Sequence, residues 1–90
     1  MNSETKDVKI EIPEGVHLRV AAKVVEICRE GNSKVYLSCR DCPQADACSV
    51  LSVLLLGASQ GDVVTISAEG HDAKEVVDKL SGYFSDGGGI

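Results

Sequence analysis

The sequence predicts a two-layer α+β domain in which three helices cover one face of a four-stranded, mostly antiparallel sheet. Three observations carry this. At 90 residues the chain favours a single hydrophobic core. With no Trp, one Phe and two Tyr, that core must be built from Val, Ile, Leu and Ala. Finally, the apolar residues switch between alternate and three-to-four spacing in the order β, α, β, β, α, β, α.

The elements follow in turn. Val8, Ile10 and Ile12 alternate with Lys9 and Glu11, as in a strand with one covered face, and Pro13, Glu14 and Gly15 break it. From His17 onward Val20, Ala21, Val24, Val25, Ile27 and Cys28 recur at helical spacing until Gly31 and Asn32. Lys34 to Ser38 reads as a second strand. Cys39 to Ala45 turns, with room for a short third strand. Ser49 is placed to cap a short helix through Val50, Leu51, Val53, Leu54 and Leu55 that ends near Gly57. Val63 to Ala68, dense in β-branched residues, is a central strand. Asp72 and Glu75 have the spacing of a capping box ahead of a helix marked by Ala73, Val76, Val77, Leu80 and Phe84. The expected organisation is one domain over residues 1–84 and a flexible glycine-rich tail over 85–90.

Charge narrows the partners. Fourteen acidic against nine basic residues give a net charge of −5, and Lys and Arg nowhere cluster, so neither nucleic acid nor an anionic membrane is an expected partner. The polar stretch Met1 to Asp7 does not resemble a secretory signal, and the run Val50 to Leu56, interrupted by Ser52, is too short to cross a bilayer. The expected location is the cytoplasm, and that compartment lowers the weight of a disulfide framework among Cys28, Cys39, Cys42 and Cys48.

His17 stands where a glycine-containing turn enters a helix. Backbone N–H groups and the positive end of the helix dipole favour phosphate there. The same dipole disfavours imidazolium, which leaves a ring nitrogen to act as nucleophile. Arg19, two residues on, can neutralise incoming charge. Phosphoryl transfer asks little more of a carrier than positioning and charge stabilisation.

The neighbouring residues sharpen this reading. Gly15-Val16-His17-Leu18-Arg19-Val20-Ala21-Ala22 resembles the active-site segment of the HPr family, the histidine-containing phosphocarriers of the sugar phosphotransferase system. Ala47-Cys48-Ser49-Val50-Leu51 resembles that family's regulatory serine segment, and Gln60 to Gly70 its last strand and turn. The matches run in order from about Val8 to Phe84. The resemblance implies an open-faced βαββαβα sandwich and a carrier that is not itself an enzyme. It implies that His17 accepts the phosphoryl group from enzyme I, with phosphoenolpyruvate as ultimate donor, beside Arg19, and passes it to a downstream phosphotransferase-system protein. Both a sugar-transport and a nitrogen-regulatory branch fit. No cofactor is implied, and the chain is expected to be a monomer.

One departure is Val20, where the family motif has proline. Proline in a helix's first turn gives up no hydrogen bond and fixes φ, so Val20 should leave the entry turn less rigid and slow the transfer without abolishing it. Ser49 matches the serine that a dedicated kinase phosphorylates in some family members; capping of the second helix is the alternative role. Val20, Val50, Leu51 and Leu54 are expected around His17 as an apolar docking patch, with about half of them in the core and Leu54 the first candidate for it. Lys23 and Arg29, with Glu26 between them, are the nearby cations.

Cys39-Arg40-Asp41-Cys42, with Cys48 beyond, is foreign to typical family members. Reduced thiols are the first reading, ahead of a zinc site and of a redox disulfide, and Cys28 belongs to the apolar stripe of the first helix. No metal ligand is assigned. His71, in a turn, is read as exposed. Two further functions compete with the carrier: a regulatory binding module acting through Ser49, and a metal or redox sensor built on the cysteine cluster.

Overall fold

The computed structural model describes residues 2–13, 15–39 and 44–86. Seven elements follow the expected order: β1 (Ser3–Lys9), α1 (Leu18–Glu30), β2 (Lys34–Ser38), β3 (Ala45–Asp46), α2 (Val50–Leu55), β4 (Val63–Glu69) and α3 (Ala73–Ser85). The four strands form one sheet in the order β1-β4-β2-β3, and every pairing is antiparallel.

Register decides which side chains enter the core. Val8 pairs with Val64, Leu37 with Ile66 and Val35 with Ala68, and all six are buried beneath the helices. The alternate residues Thr5, Ser67 and Tyr36 line the opposite face, as period two requires. Helix α1 contributes Val20, Ala21, Val24, Val25, Ile27 and Cys28, and α3 contributes Ala73, Val76, Val77, Leu80 and Phe84.

The first strand differs from its expected position. Lys9 and Val63 form the last pair with β4, so β1 lies earlier, over Ser3–Lys9, and its exposed polar end is held by the backbone ladder instead of an apolar face. Ile10 and Ile12 are fully buried but lie past the strand. The Ile10 amide donates to the Asp62 carbonyl at 2.8 Å, and the Glu11 amide to the Phe84 carbonyl at 3.0 Å. Alternation here marks burial against a turn and the end of α3. Helix α3 also takes in Ser85, which the expected boundary gave to the tail; residues 87–90 of that tail lie outside the described residues.

The expected capping box at α3 is absent. Asp72 is the N-cap, but its side chain makes no bond to its own helix. Its carboxylate accepts from the Asn32 amide at 2.9 Å and from the Ser33 hydroxyl, so it joins the α1–β2 turn to α3. Gly31 in that turn has φ −100°, an ordinary value. Its lack of a side chain serves close approach, since a Cβ there would lie 2.7 Å from Asp72 Oδ2 and 2.8 Å from Val76 Cγ2.

The reduced-thiol reading fails for Cys48. Cys28 and Cys48 are joined by a disulfide with Cα atoms 5.5 Å apart. Cys28 is a core residue, as its place in the apolar stripe requires, yet its sulfur is bonded to the residue just before the cap of α2. Closing a loop of 20 residues restricts the unfolded chain by about 3 kcal/mol. Cys42 of the Cys-x-x-Cys pair lies outside the described residues.

Candidate functional site

The turn before α1 is shaped by Gly15. Its φ is +71°, and a Cβ there would lie 2.9 Å from the Ala58 carbonyl oxygen. Glycine thus supplies both the left-handed conformation and the space. The Gly15 amide donates to the Ile12 carbonyl at 2.9 Å, and the Val16 amide to the Ala58 carbonyl at 3.0 Å. The segment that delivers His17 is therefore fastened to the chain that leaves α2.

His17 is the N-cap of α1, with extended backbone. Its Nδ1 accepts from the Arg19 amide at 3.2 Å, and its carbonyl accepts the first i→i−4 bond of the helix, from the Ala21 amide at 2.8 Å. The amides of Leu18, Arg19 and Val20 precede that bond and point from the positive end of the dipole. The ring is half-buried, whereas Leu18 and Arg19 are exposed. An imidazole nitrogen and a row of amides thus meet at one helix start that also carries Arg19, an arrangement suited to holding a tetrahedral anion on the ring.

Val20 cannot belong to a docking patch: it is fully buried, because it begins the apolar stripe continued by Val24, Ile27 and Cys28. In α2 the core residue is Val53, and Leu54, expected in the core first, is half-buried together with Val50. Leu51 and Leu55, one helical turn apart, point outward with 66% and 77% of their surface exposed. Leu18 is 64% exposed. The exposed apolar side chains here are Leu18, next to His17 in sequence, and Leu51 and Leu55 on α2, with Val50 and Leu54 half-buried between the exposed and core positions of that helix. Leu18 and Leu55 were hidden in the sequence because a Leu beside an apolar stripe reads as core.

Helix α2 runs back along α1. Its start lies near the far end of α1, where Arg29 Nη2 donates to the Cys48 carbonyl at 3.5 Å. Ser49 is the N-cap of α2, its Oγ accepting from the Ser52 amide at 3.3 Å. Cys28 lies eleven residues after His17, about 16 Å further along the axis of α1 at 1.5 Å per residue, and the start of α2 is tied to that far end. Lys23 forms an ion pair with Glu26 at 3.6 Å. His71 is exposed in the turn before α3. Among the described residues no group of three or more His, Cys, Asp or Glu side chains is arranged to hold a metal ion.

A family model described as "PTS HPr component phosphorylation site" matches residues 4–86. The Phosphocarrier protein HPr of Buchnera aphidicola subsp. Acyrthosiphon pisum is 35% identical over 74 residues, 82% of this chain and 86% of that protein. The Phosphocarrier protein NPr of Proteus mirabilis is 34% identical over 73 residues, 81% of each chain. A crystal structure of a Phosphocarrier Protein HPr from Bacillus anthracis superposes with a TM-score of 0.86 at 26% identity, over 91% of this chain and 96% of that one.

Proposed function

This chain belongs to the HPr family, the phosphocarriers of the phosphotransferase system, and from that membership we propose that His17 accepts a phosphoryl group from enzyme I and hands it to a downstream protein of the same system. Phosphoenolpyruvate is the ultimate donor. The family carries the group and does not catalyse its formation.

The observation behind this reading is the hydrogen bond from the Arg19 amide to His17 Nδ1. A nitrogen that accepts holds a lone pair and no proton, which assigns the ring proton to Nε2. Nδ1 then attacks phosphorus as the bond from phosphorus to the donor breaks. The Arg19 amide, having lost its acceptor to the new N–P bond, turns to a phosphoryl oxygen, and the Arg19 guanidinium offsets the added charge. When the acceptor protein takes the group, the N–P bond breaks and Nδ1 resumes its cap. Capping and carrying thus alternate on one nitrogen. Leu18, Leu51 and Leu55, edged by Val50 and Leu54, offer partners an apolar footing beside it. No helix among the described residues is long and apolar enough to cross a membrane, and we place the chain in the cytoplasm as a monomer.

The test is incubation with enzyme I and radiolabelled phosphoenolpyruvate. Acid-labile label that His17→Ala abolishes supports the reading; acid-stable label retained by that variant refutes it.

A second reading adds a serine kinase acting on Ser49. It is favoured by the position of the Ser49 hydroxyl at the amides that open α2, where added negative charge is tolerated. Incubation with a kinase of this specificity, followed by mass mapping, should place the modification on Ser49; an unmodified serine sinks this reading.

A further inference from the structure

We infer that the Cys28–Cys48 bond is a redox switch on the carrier, opened by a dithiol reductant, which sets how firmly α2 is held beside His17. This inference rests on the carrier reading above. Helix α2 is short, with Val50 and Leu54 only partly buried against the core. The helix has six residues and buries only Val53 fully, and a helix of that length has no stability of its own. It is fastened at both ends. At its start the disulfide ties it to α1, helped by the bond from Arg29 to the Cys48 carbonyl, while the Cys48 amide donates to Asp46 Oδ1 of β3 at 2.8 Å. At its exit the Val16–Ala58 hydrogen bond joins it to the segment that delivers His17. Loosening the first tether therefore loads the second, which adjoins the carrying residue.

The bond is also lopsided. Cys28 is 1% exposed and Cys48 is half-buried, so an incoming thiolate meets Cys48 Sγ first. It attacks that sulfur, the S–S bond breaks, and Cys28 leaves as a thiolate that takes up a proton. The second thiolate of the reductant then attacks its own partner sulfur in the mixed disulfide and releases Cys48, which is protonated in turn. Two electrons pass to the protein, and the reductant departs as a disulfide. The Cys28 thiol remains in the core as a small apolar group, so reduction frees α2 and spares α1. In the cytoplasm a disulfide is more often transient or redox-sensing than permanent.

The test compares oxidised wild-type protein with the same protein treated with dithiothreitol, using amide hydrogen exchange and the initial rate of labelling by enzyme I. Reduction should raise exchange over residues 50–56 by about tenfold or more while α3 stays protected, and should slow labelling. Cys48→Ser should reproduce the reduced behaviour with or without dithiothreitol, and Cys39→Ser should respond as the wild type does. Equal exchange and equal rates in both redox states overturn the switch, as does alkylation of Cys28 and Cys48 in the untreated native protein. Absence of label in both states refutes the carrier reading, and hydrogen exchange then decides the switch by itself.

Discussion

The starts of α1 and α3 each have a polar N-cap residue and are used in opposite ways. At α1 the cap residue, His17, turns its side chain onto its own helix, and its carbonyl opens the i→i−4 ladder. At α3 the cap residue, Asp72, turns away from its helix to bind Asn32 and Ser33 across the fold. One helix start is left facing outward with a reactive nitrogen, and the other becomes a clasp between α3 and the α1–β2 turn. A capping position is thus a place where a side chain can be spent locally or over long range.

Exchanging the properties of the two starts tests that contrast. His17→Asn should abolish acid-labile labelling altogether while keeping the melting temperature near wild type, because asparagine caps well; His17→Ala should lose the label and also about 1 kcal/mol of stability. Label on the Asn variant would break the comparison. Gly15→Ala, one step back along the entry turn, should destabilise the protein by about 1–3 kcal/mol in urea titrations and slow labelling, since it forces a side chain to φ +71° against the Ala58 carbonyl.

Asp72→Asn should leave labelling unchanged and lower the urea midpoint at neutral pH. The Ser33 hydroxyl first, and then the Asn32 amide, hold the Asp72 carboxyl below its ordinary value of 3.8. A depressed carboxylate stabilises the folded state fully above that ordinary value and loses its contribution as pH falls through the lowered one. The midpoints of wild type and Asp72→Asn should therefore converge in acid, and a gap that persists there would refute the clasp. The smallest effect belongs to Val20→Pro. Position 20 precedes the first i→i−4 bond, so proline costs no helical hydrogen bond and stiffens the entry turn. Labelling should quicken modestly, and a slower variant would refute the rigidity argument.

Much of the fold was legible because each signal was local. The 3.6-residue stripe from Val20 to Cys28 names the buried face of α1, and the β-branched run Val63 to Ala68 names a central strand. The position of His17 behind a glycine turn and ahead of that stripe was equally readable, since a helix start depends on a few consecutive residues. Where the reading failed, a partner distant in sequence intervened. Strand β1 lies over polar residues because β4 ends its ladder at Val63. Val20 is core because its stripe faces the sheet, and Asp72 serves Ser33, 39 residues away.

By itself, then, the sequence determined the order of elements, the aliphatic core and the placement of an imidazole at a helix start, all of which follow from periodicity and short-range backbone chemistry. The tertiary structure decided the Cys28–Cys48 bond, the long-range clasp of Asp72 and the outward turn of Leu18, Leu51 and Leu55. Each of these depends on how α1, α2, α3 and the sheet pack against one another, and burial and bonding across such distances are properties of the assembled layers rather than of any local run of residues.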